Sequence, residues 1–241
     1  MAVWVRADTS LVNRNPRGDV SVDRYYRDAY QDVMYTGAVG VYSRITHSLM
    51  ERPYRGEHFP VVLEVGAGAG QHAQFAEGTW DTYWETDIDP ELLGPSERWV
   101  RGMPVISQAA DATTLDGFAD DSVDRLVATC LLAHLAEPEE ALRQWRRVVK
   151  PEGRVSILVP TEPGMALRLA RRCVMVPKAR KFGQDHLGTV YRDHCNHYPG
   201  MREMITAVFR GDQVAATRYP IPKLGWNASL FEIFHITVSA R

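Results

Sequence analysis

The chain has 241 residues, of which 45% are hydrophobic, 24% are charged, 28 are basic and 30 are acidic. These proportions are those of a globular protein and exclude a disordered chain, a collagen and a coiled coil. The formal charge of −2 argues against a protein held to nucleic acid mainly through phosphate contacts, because such proteins are usually basic. The length favours one α/β domain with added segments.

Three features of the sequence lead us to expect a cytoplasmic protein. No apolar run approaches the ~18–20 residues needed to cross a bilayer, so we expect no membrane partner. Residues 1–15 lack the apolar core of a signal peptide. The cysteines, Cys130, Cys173 and Cys195, are widely spaced and suit a reducing compartment.

Residues 1–60 are predicted to form a helical extension. Residues 1–20 are polar and lack periodicity, so we expect neither helix nor strand there. From Ser21 apolar residues recur at helical spacing, and Thr36-Gly37 separates this first helix from a second one. The side chains predicted to point inward on the second helix are Val41, Tyr42, Ile45 and Leu49.

Strands and helices alternate in residues 61–241, which predicts βαβ units and a mostly parallel sheet. The predicted strands cover 61–65, 82–87, 104–106, 123–130 and 154–159, the predicted helices cover 71–77, 138–149 and 201–209, and an antiparallel strand pair covers 212–219 and 230–238. We therefore predict a Rossmann-like α/β fold with a seven-stranded sheet and an antiparallel C-terminal strand. Residues 161–198 are predicted to be an inserted lid.

A glycine cluster, Gly66-Ala67-Gly68-Ala69-Gly70, follows the first predicted strand. Glycine at such a turn allows the backbone to approach a ligand closely. A pyrophosphate-binding loop has the pattern G-x-G-x-x-G, and here Gln71 occupies the place of the third glycine. The spacing therefore favours a ligand other than a dinucleotide.

Two acidic residues follow the next two predicted strands. Asp87 ends the second strand, where a carboxylate can accept two hydrogen bonds from a ribose diol. Ile88 is placed to pack on an adenine ring, and Asp111, after the third strand, to accept a hydrogen bond from its amino group. Together with the glycine loop these residues describe a nucleoside pocket without a pyrophosphate site.

On these motifs the sequence resembles the class I S-adenosylmethionine-dependent methyltransferases. Residues 118–127 resemble the family's approach to the fourth strand, 131–135 its segment after that strand, and 146–153 the exit of the following helix, with Glu152 in place of a glycine. The resemblance implies S-adenosylmethionine as cofactor, no metal, and methyl transfer to an oxygen, nitrogen or carbon atom of a small molecule. We also expect that the methylated small molecule belongs to secondary metabolism.

The resemblance also implies roles for individual residues. The glycine-loop residues would line the methionine and ribose, Asp87 and Ile88 the ribose and adenine, and Asp111 and Ala112 the adenine edge. We add Thr129 at the end of the fourth strand, and Arg44 as a partner of the methionyl carboxylate. The expected cofactor-binding residues are Glu64, Gly66, Gly68, Asp87, Ile88, Asp111, Ala112, Thr129 and Arg44.

The candidates for catalysis are His194, His134 and Tyr30. Transfer to a hydroxyl or an acidic carbon benefits from a general base, and histidine is the usual one. His194 lies in a polar part of the predicted lid, and His134 follows the fourth strand at the edge where such folds bind ligands. Tyr30 belongs to the tyrosines of the N-terminal helices, which would fold over the cofactor.

Several alternatives stay open. A protein that binds the cofactor without methylating, a nicotinamide oxidoreductase and a nucleic-acid methyltransferase are the other readings of function. Against the last, Thr129-Cys130-Leu131-Leu132 stands where an N/D-P-P-Y-type tetrapeptide would be expected. The basic run from Arg168 to Lys181 is expected to be a solvated helix face, and an acidic substrate, a carrier protein or a membrane surface are its alternatives. The oligomeric state has no signal in the sequence.

Overall fold

One eight-stranded sheet forms the centre of the computed structural model, which describes residues 20–240. Its strands are β1 (His58–Val65), β2 (Thr79–Asp87), β3 (Glu97–Val100), β4 (Met103–Ala109), β5 (Val123–Thr129), β6 (Val149–Pro160), β7 (Gln213–Tyr219) and β8 (Phe231–Thr237). Their spatial order is β3-β4-β2-β1-β5-β6-β8-β7. The five central strands are parallel to one another: β4, β2, β1, β5 and β6. In contrast, β3, β8 and β7 pair antiparallel to their neighbours.

The predicted Rossmann-like fold is confirmed, with one strand more than the seven predicted. The additional strand, β3, lies at the sheet edge and pairs with β4 through a two-residue turn of Arg101 and Gly102. Both turn residues have positive φ, 53° and 79°, as expected for a tight hairpin. Four residues with an exposed Trp99 carry too little apolar alternation to be recognised as a strand from sequence.

Helices cover both faces of the sheet. They are α1 (Val20–Asp28), α2 (Tyr30–Tyr35), α3 (Gly37–Glu51), α4 (Pro138–Val148), α5 (Met165–Ala170), α6 (Val176–Lys181), α7 (His186–Asp193) and α8 (Tyr198–Val208). Helices α4 and α8 pack on one face, where Trp145 and Ile205 are fully buried. Helix α3 covers the other face through Met50. None of the helices within residues 20–240 has both the length and the apolar character needed to span a bilayer.

Helices α5, α6 and α7 lie between β6 and α8, within the segment predicted to be a lid. A π-helical turn, Arg171–Met175, joins α5 to α6. The division of the chain into residues 1–60, residues 61–241 and a lid at 161–198 stays a prediction. The expectation for residues 1–20 falls outside the described part of the chain, except that Val20 begins α1.

Two local predictions are wrong on the α3 side of the sheet. The predicted helix at 71–77 is a single 3₁₀ turn, Ala73–Phe75, because so short a segment has little helical stability of its own. Of the four residues predicted to point inward on α3, Tyr42 and Leu49 pack against the core, whereas Val41 and Ile45 are 46% and 52% exposed. The polar residues His47 and Glu51 are buried, so polar partners as well as apolar side chains determine the buried face of α3.

Glu51, at the end of α3, is the centre of a buried polar network. Its carboxylate accepts hydrogen bonds from the guanidinium of Arg125 on β5 and, at 2.7 Å, from Nε2 of His72. The network continues from Nδ1 of His72 to Nδ1 of His47 at 2.8 Å, and from Nε2 of His47 to the Tyr35 hydroxyl at 3.2 Å. Burial opposes ionisation of Glu51, but Arg125 and His72 outweigh it and hold the pKa of this carboxyl well below its usual range.

Replacing Glu51 with glutamine should strongly destabilise the fold. The substitution leaves the Arg125 charge buried without a counterion, and breaking one side of a buried ion pair costs about 3 kcal/mol or more. For a chain of this size that corresponds to a fall in Tm of about 10 °C in a thermal melt. Glu57→Gln, at an exposed glutamate beside β1, is the control and should leave Tm nearly unchanged. Equal melting of the two variants would show that the network does not stabilise the fold.

The free energy of unfolding should fall as the pH is lowered from about 6.5 to about 5. Burial lowers the pKa of His47 to about 3 and those of His186 and His235 to about 4, so these rings take up protons only when the chain unfolds. Burial raises the pKa of Glu64 to about 7, so this carboxyl takes up a proton in the folded chain and opposes the trend. The balance of about two protons gives a slope on the order of 2 kcal/mol per pH unit.

Urea denaturation at several pH values measures this slope. Glu64→Gln should make the slope steeper, because it removes the one opposing group of the four. A free energy of unfolding that stays level over this range would contradict the assignment of neutral buried histidines.

Candidate functional site

The glycine loop leaves β1 at the carboxyl edge of the sheet, and all three of its glycines have positive φ. A Cβ on Gly66 would stand 2.7 Å from the Leu131 side chain, and one on Gly70 would stand 2.5 Å from the Glu85 carboxylate. A Cβ on Gly68 would meet nothing within 4 Å. Positive φ and close side chains both favour glycine at positions 66 and 70, whereas at Gly68 the loop borders open space that a ligand can occupy.

Asp87 lies beside this opening. The backbone N–H of Gly68 donates to its Oδ2, and the backbone N–H of Asp89 donates to its Oδ1, both at 2.9 Å. Burial raises the pKa of Asp87, and these two hydrogen bonds oppose that shift. Each carboxylate oxygen retains a further lone pair, so the side chain is oriented and still able to accept from a diol. Ile88 follows it and is half-buried.

The remaining cofactor candidates follow neighbouring strands. Asp111 lies just beyond β4, and its Oδ1 accepts from the backbone and hydroxyl of Thr113, at 2.7 and 2.6 Å. Ala112 is buried, and Thr129 ends β5 half-buried. Because β1, β2, β4 and β5 are parallel, their carboxyl ends bring the glycine loop, Asp87, Asp111 and Thr129 to one edge of the sheet. Arg44 is exposed on α3, and no described contact joins it to the loop.

Glu64 lies beneath the glycine loop on the face of the sheet covered by α3. Its side chain is buried, and the Tyr83 hydroxyl donates to its Oε2 at 2.8 Å. The structure thus places the Glu64 carboxyl in the protein interior, where it meets a protein donor.

His134 and His194 lie face to edge, with ring centroids 4.6 Å apart. Nδ1 of His134 is 2.7 Å from Oδ2 of Asp193, and Nδ1 of His194 is hydrogen-bonded to the Glu162 carboxylate. Each ring therefore has one nitrogen held by a carboxylate. Nε2 is the remaining ring nitrogen of each histidine.

Further contacts fix these two histidine–carboxylate pairs in place. The Tyr26 hydroxyl donates to Oδ2 of Asp193 at 2.6 Å, and Arg171 forms an ion pair with Glu162. The side-chain amide of Asn196 donates to the carbonyls of Leu132 and Leu135, at 2.9 and 2.6 Å. The end of the lid is thereby attached to the 3₁₀ turn that carries His134.

The protonation states suit a proton acceptor. Burial lowers the pKa of His194, although the Glu162 hydrogen bond opposes this, so the ring is neutral near pH 7. Burial raises the pKa of Glu162, but His194 and Arg171 outweigh it and lower the pKa to about 2. A neutral His194 that donates from Nδ1 to Glu162 keeps a lone pair on Nε2. Such a ring can take up a proton from a bound molecule.

The histidines are linked to the glycine loop through Leu131. The Leu131 side chain occupies the space beside Gly66, and its carbonyl accepts from the His134 backbone N–H at 2.9 Å. One short turn thus connects the loop to the histidine pairs.

Tyr30 is brought to the same region by α2. Its ring is 5.1 Å from Tyr26 and 6.3 Å from Tyr35, measured between centroids. Burial raises the pKa of Tyr30 well above its usual 10, so its hydroxyl remains protonated and able to donate.

Glu162 was missed by the sequence analysis, although its position just after the end of β6 was an available signal. Tyr26 was expected near the site only as one of the tyrosines of the N-terminal helices, and neither Arg171 nor Asp193 was predicted to bind or react. The contacts of Tyr26 with Asp193 and of Arg171 with Glu162 are visible only in the folded chain.

Ligand atoms of His134, Asp193 and His194 lie within 4.8 Å of one another, the one such group of three found among residues 20–240. Two histidines and a carboxylate are a known metal-binding set. In this chain Oδ2 of Asp193 already faces two hydrogen-bonding partners, Tyr26 and His134. The expectation that no metal is needed stays a prediction.

Known proteins resemble this chain in sequence over part of its length and in fold over most of it. A family model described as a methyltransferase domain matches residues 63–157. The ubiquinone/menaquinone biosynthesis C-methyltransferase UbiE of Burkholderia thailandensis is 33% identical over 102 residues, which are 40% of this chain and 42% of that protein. The chain thus matches less than half of the length of this relative.

Two solved structures share the fold over nearly the whole chain. A possible histamine N-methyltransferase of Thermotoga maritima has a TM-score of 0.61 at 14% identity and covers 91% of this chain and 100% of its own. The N-methyltransferase NodS of Bradyrhizobium japonicum, solved with S-adenosylhomocysteine, has a TM-score of 0.59 at 11% identity and covers 91% and 97%. Residues 63–157 thus match a methyltransferase domain, and the two solved structures share the fold of this chain.

Proposed function

We propose that this chain transfers a methyl group from S-adenosylmethionine to a small molecule held between His134 and His194. The main support for this proposal is the pair of histidines, each with Nδ1 bound to a carboxylate, one short turn away from the glycine loop. The cofactor supplies an electrophilic methyl group on a sulfonium. The open side of Gly68 and the oriented carboxylate of Asp87 fit its methionine and ribose portions.

The acceptor in this proposal is an oxygen or carbon atom that must lose a proton. An amine that is already neutral needs no base during the transfer itself, so two carboxylate-oriented histidines favour an acceptor that must lose a proton to react. His194 accepts this proton at Nε2, with His134 as the second candidate, and the carboxylate bound to Nδ1 stabilises the imidazolium that results. The named neighbours include both C- and N-methyltransferases, so the histidine pairs, rather than the comparisons, support this choice.

The tyrosines of α1 and α2 complete the site in this proposal. Tyr26 orients Asp193 through its hydroxyl, and Tyr30 packs beside it with a protonated hydroxyl. We propose that these helices exclude water from the transfer, which protects the in-line displacement from side reactions.

A cytoplasmic location and a role in secondary metabolism belong to the same proposal. The free thiols of the three cysteines are in keeping with the first of these.

Asp87→Ala should weaken binding of S-adenosylhomocysteine by at least about tenfold, because it removes the hydrogen bonds to the ribose and the acceptor that orients the Gly68 N–H. Isothermal titration with this product measures the change. Asp81→Ala, at an exposed aspartate of β2, is the matched control and should bind as the unchanged chain does. Binding by the Asp87 variant at full strength would place the cofactor elsewhere.

His194→Asn should lower the rate of methyl transfer by about 10²-fold or more, because asparagine can replace the hydrogen bond of Nδ1 but not the basic Nε2. Transfer from methyl-labelled cofactor into a panel of phenols, enols and acidic C–H compounds measures the rate. S-adenosylhomocysteine should still bind with nearly unchanged affinity. His197→Asn, at an exposed histidine of the same segment, is the control.

The pH profile separates a base from a merely structural histidine. Because burial lowers the pKa of His194 below 6.5, kcat/KM should stay level as the pH falls from 8 to about 6.5 and decrease only below that. Full activity of His194→Asn and of the corresponding His134 variant would exclude the base. Cofactor binding without transfer to any compound in the panel would favour a protein that binds the cofactor but does not methylate.

A further inference from the structure

The lid helices carry a charge opposite to that of the rest of the chain. Between Met165 and Gln184 there are six basic residues and no acidic one. The remainder of the chain then carries a formal charge of −8, although the whole carries −2. Such a concentration of one sign marks a surface that attracts an anionic partner.

The outer face of α5 is both apolar and basic. Met165, Arg168 and Leu169 have the i, i+3, i+4 spacing of one face of α5, Arg172 follows in the π-helical turn, and all four are exposed. Met165 is 72% exposed and Leu169 is 62% exposed. The exposed basic and apolar side chains of this segment, here called the lid patch, are Met165, Arg168, Leu169, Arg172, Val174, Arg180, Lys181 and Phe182.

The inner face of the same helices is already satisfied by the fold. Leu167 and Ala179 are buried. Arg171 forms an ion pair with Glu162, and Nζ of Lys178 donates to the carbonyl of Val33 at 2.7 Å. A solvated helix face would expose its polar side chains and bury its apolar ones. Here large apolar side chains stand outside among arginines, and the fold does not need them there.

We propose that the lid patch docks on an anionic lipid bilayer. Apolar side chains among arginines suit the boundary between headgroups and acyl chains, where the guanidinium groups reach the phosphates while the apolar groups insert. The negative charge of the rest of the protein would orient the chain with this patch towards the bilayer. Arg171 of the same segment pairs with Glu162, the partner of His194, so docking would place the proposed site near lipid-borne acceptors. The docking itself does not depend on the proposed methyl transfer.

Vesicle co-sedimentation tests the docking without any substrate. The full chain should sediment with vesicles of phosphatidylcholine containing about 30% phosphatidylglycerol and remain in solution with phosphatidylcholine alone. Raising the salt from about 0.05 M to about 0.5 M should weaken the binding by screening the arginines. Failure to sediment with the anionic vesicles at low salt would overturn the proposal, whatever the outcome of the methyl-transfer assays.

Two double variants locate the contact. Arg168→Gln with Arg172→Gln should weaken the partition by about tenfold or more, since each basic residue near the surface adds measurably to the attraction. The matched control, Arg52→Gln with Arg210→Gln, removes two exposed arginines elsewhere and should bind like the parent chain within about twofold. Equal losses in the two variants would show attraction by overall charge and not by the lid patch, and would overturn the proposal.

The apolar contribution has its own pair of variants. At high salt the double variant Met165→Ser with Leu169→Ser should bind the vesicles more weakly than the parent chain does, because insertion of apolar side chains dominates there. Val41→Ser with Ile45→Ser removes exposed apolar side chains from α3 and should have little effect. If sedimentation velocity instead shows a dimer that the Met165 and Leu169 substitutions dissociate, the occupant is a second copy of the chain and the lipid proposal is wrong.

Discussion

The Glu51 carboxylate joins three parts of the molecule that are far apart in sequence. It ends α3, pairs with Arg125 on the central strand β5, and accepts from His72 just after the glycine loop. The 3₁₀ turn that follows the loop is too short to cover the sheet, so α3 takes that place and is held there by charge. The position of the loop, and with it the opening at Gly68, therefore depends on a polar contact with a helix of the N-terminal extension.

The two halves of the proposed site are organised differently. The proposed cofactor half is built from the carboxyl ends of parallel strands, which bring Asp87 to Gly68. The histidine half is built from side chains on the lid, on α1 and on the turn after β5. Its geometry depends on carboxylates that are themselves held, Asp193 by Tyr26 and Glu162 by Arg171. A carboxylate fixed in this way sets both the tautomer and the direction of its histidine.

These two halves differ in how far the sequence predicts them. The glycine spacing and the acid at the end of β2 are local patterns with a direct structural meaning, and the mostly parallel sheet follows from the alternation of strands with helices. The contact between Tyr26 and Asp193 joins residues 167 positions apart, and no local pattern encodes it. The buried face of α3 was mispredicted for a related reason. Apolar periodicity points to Val41 and Ile45, whereas burial of Glu51 is favourable only because Arg125 and His72 are already there.

The lid helices connect the site to the surface through neighbouring residues. Arg171 points inward to Glu162, which holds His194, while Arg172 points outward in the lid patch. The π-helical turn begins at Arg171 and widens the helix there. The directions of consecutive side chains therefore differ from those in a regular α-helix. One short segment therefore carries both the lid patch and the ion pair that holds the carboxylate partner of His194. The segment that follows the glycine loop is held separately, through the contact of His72 with Glu51.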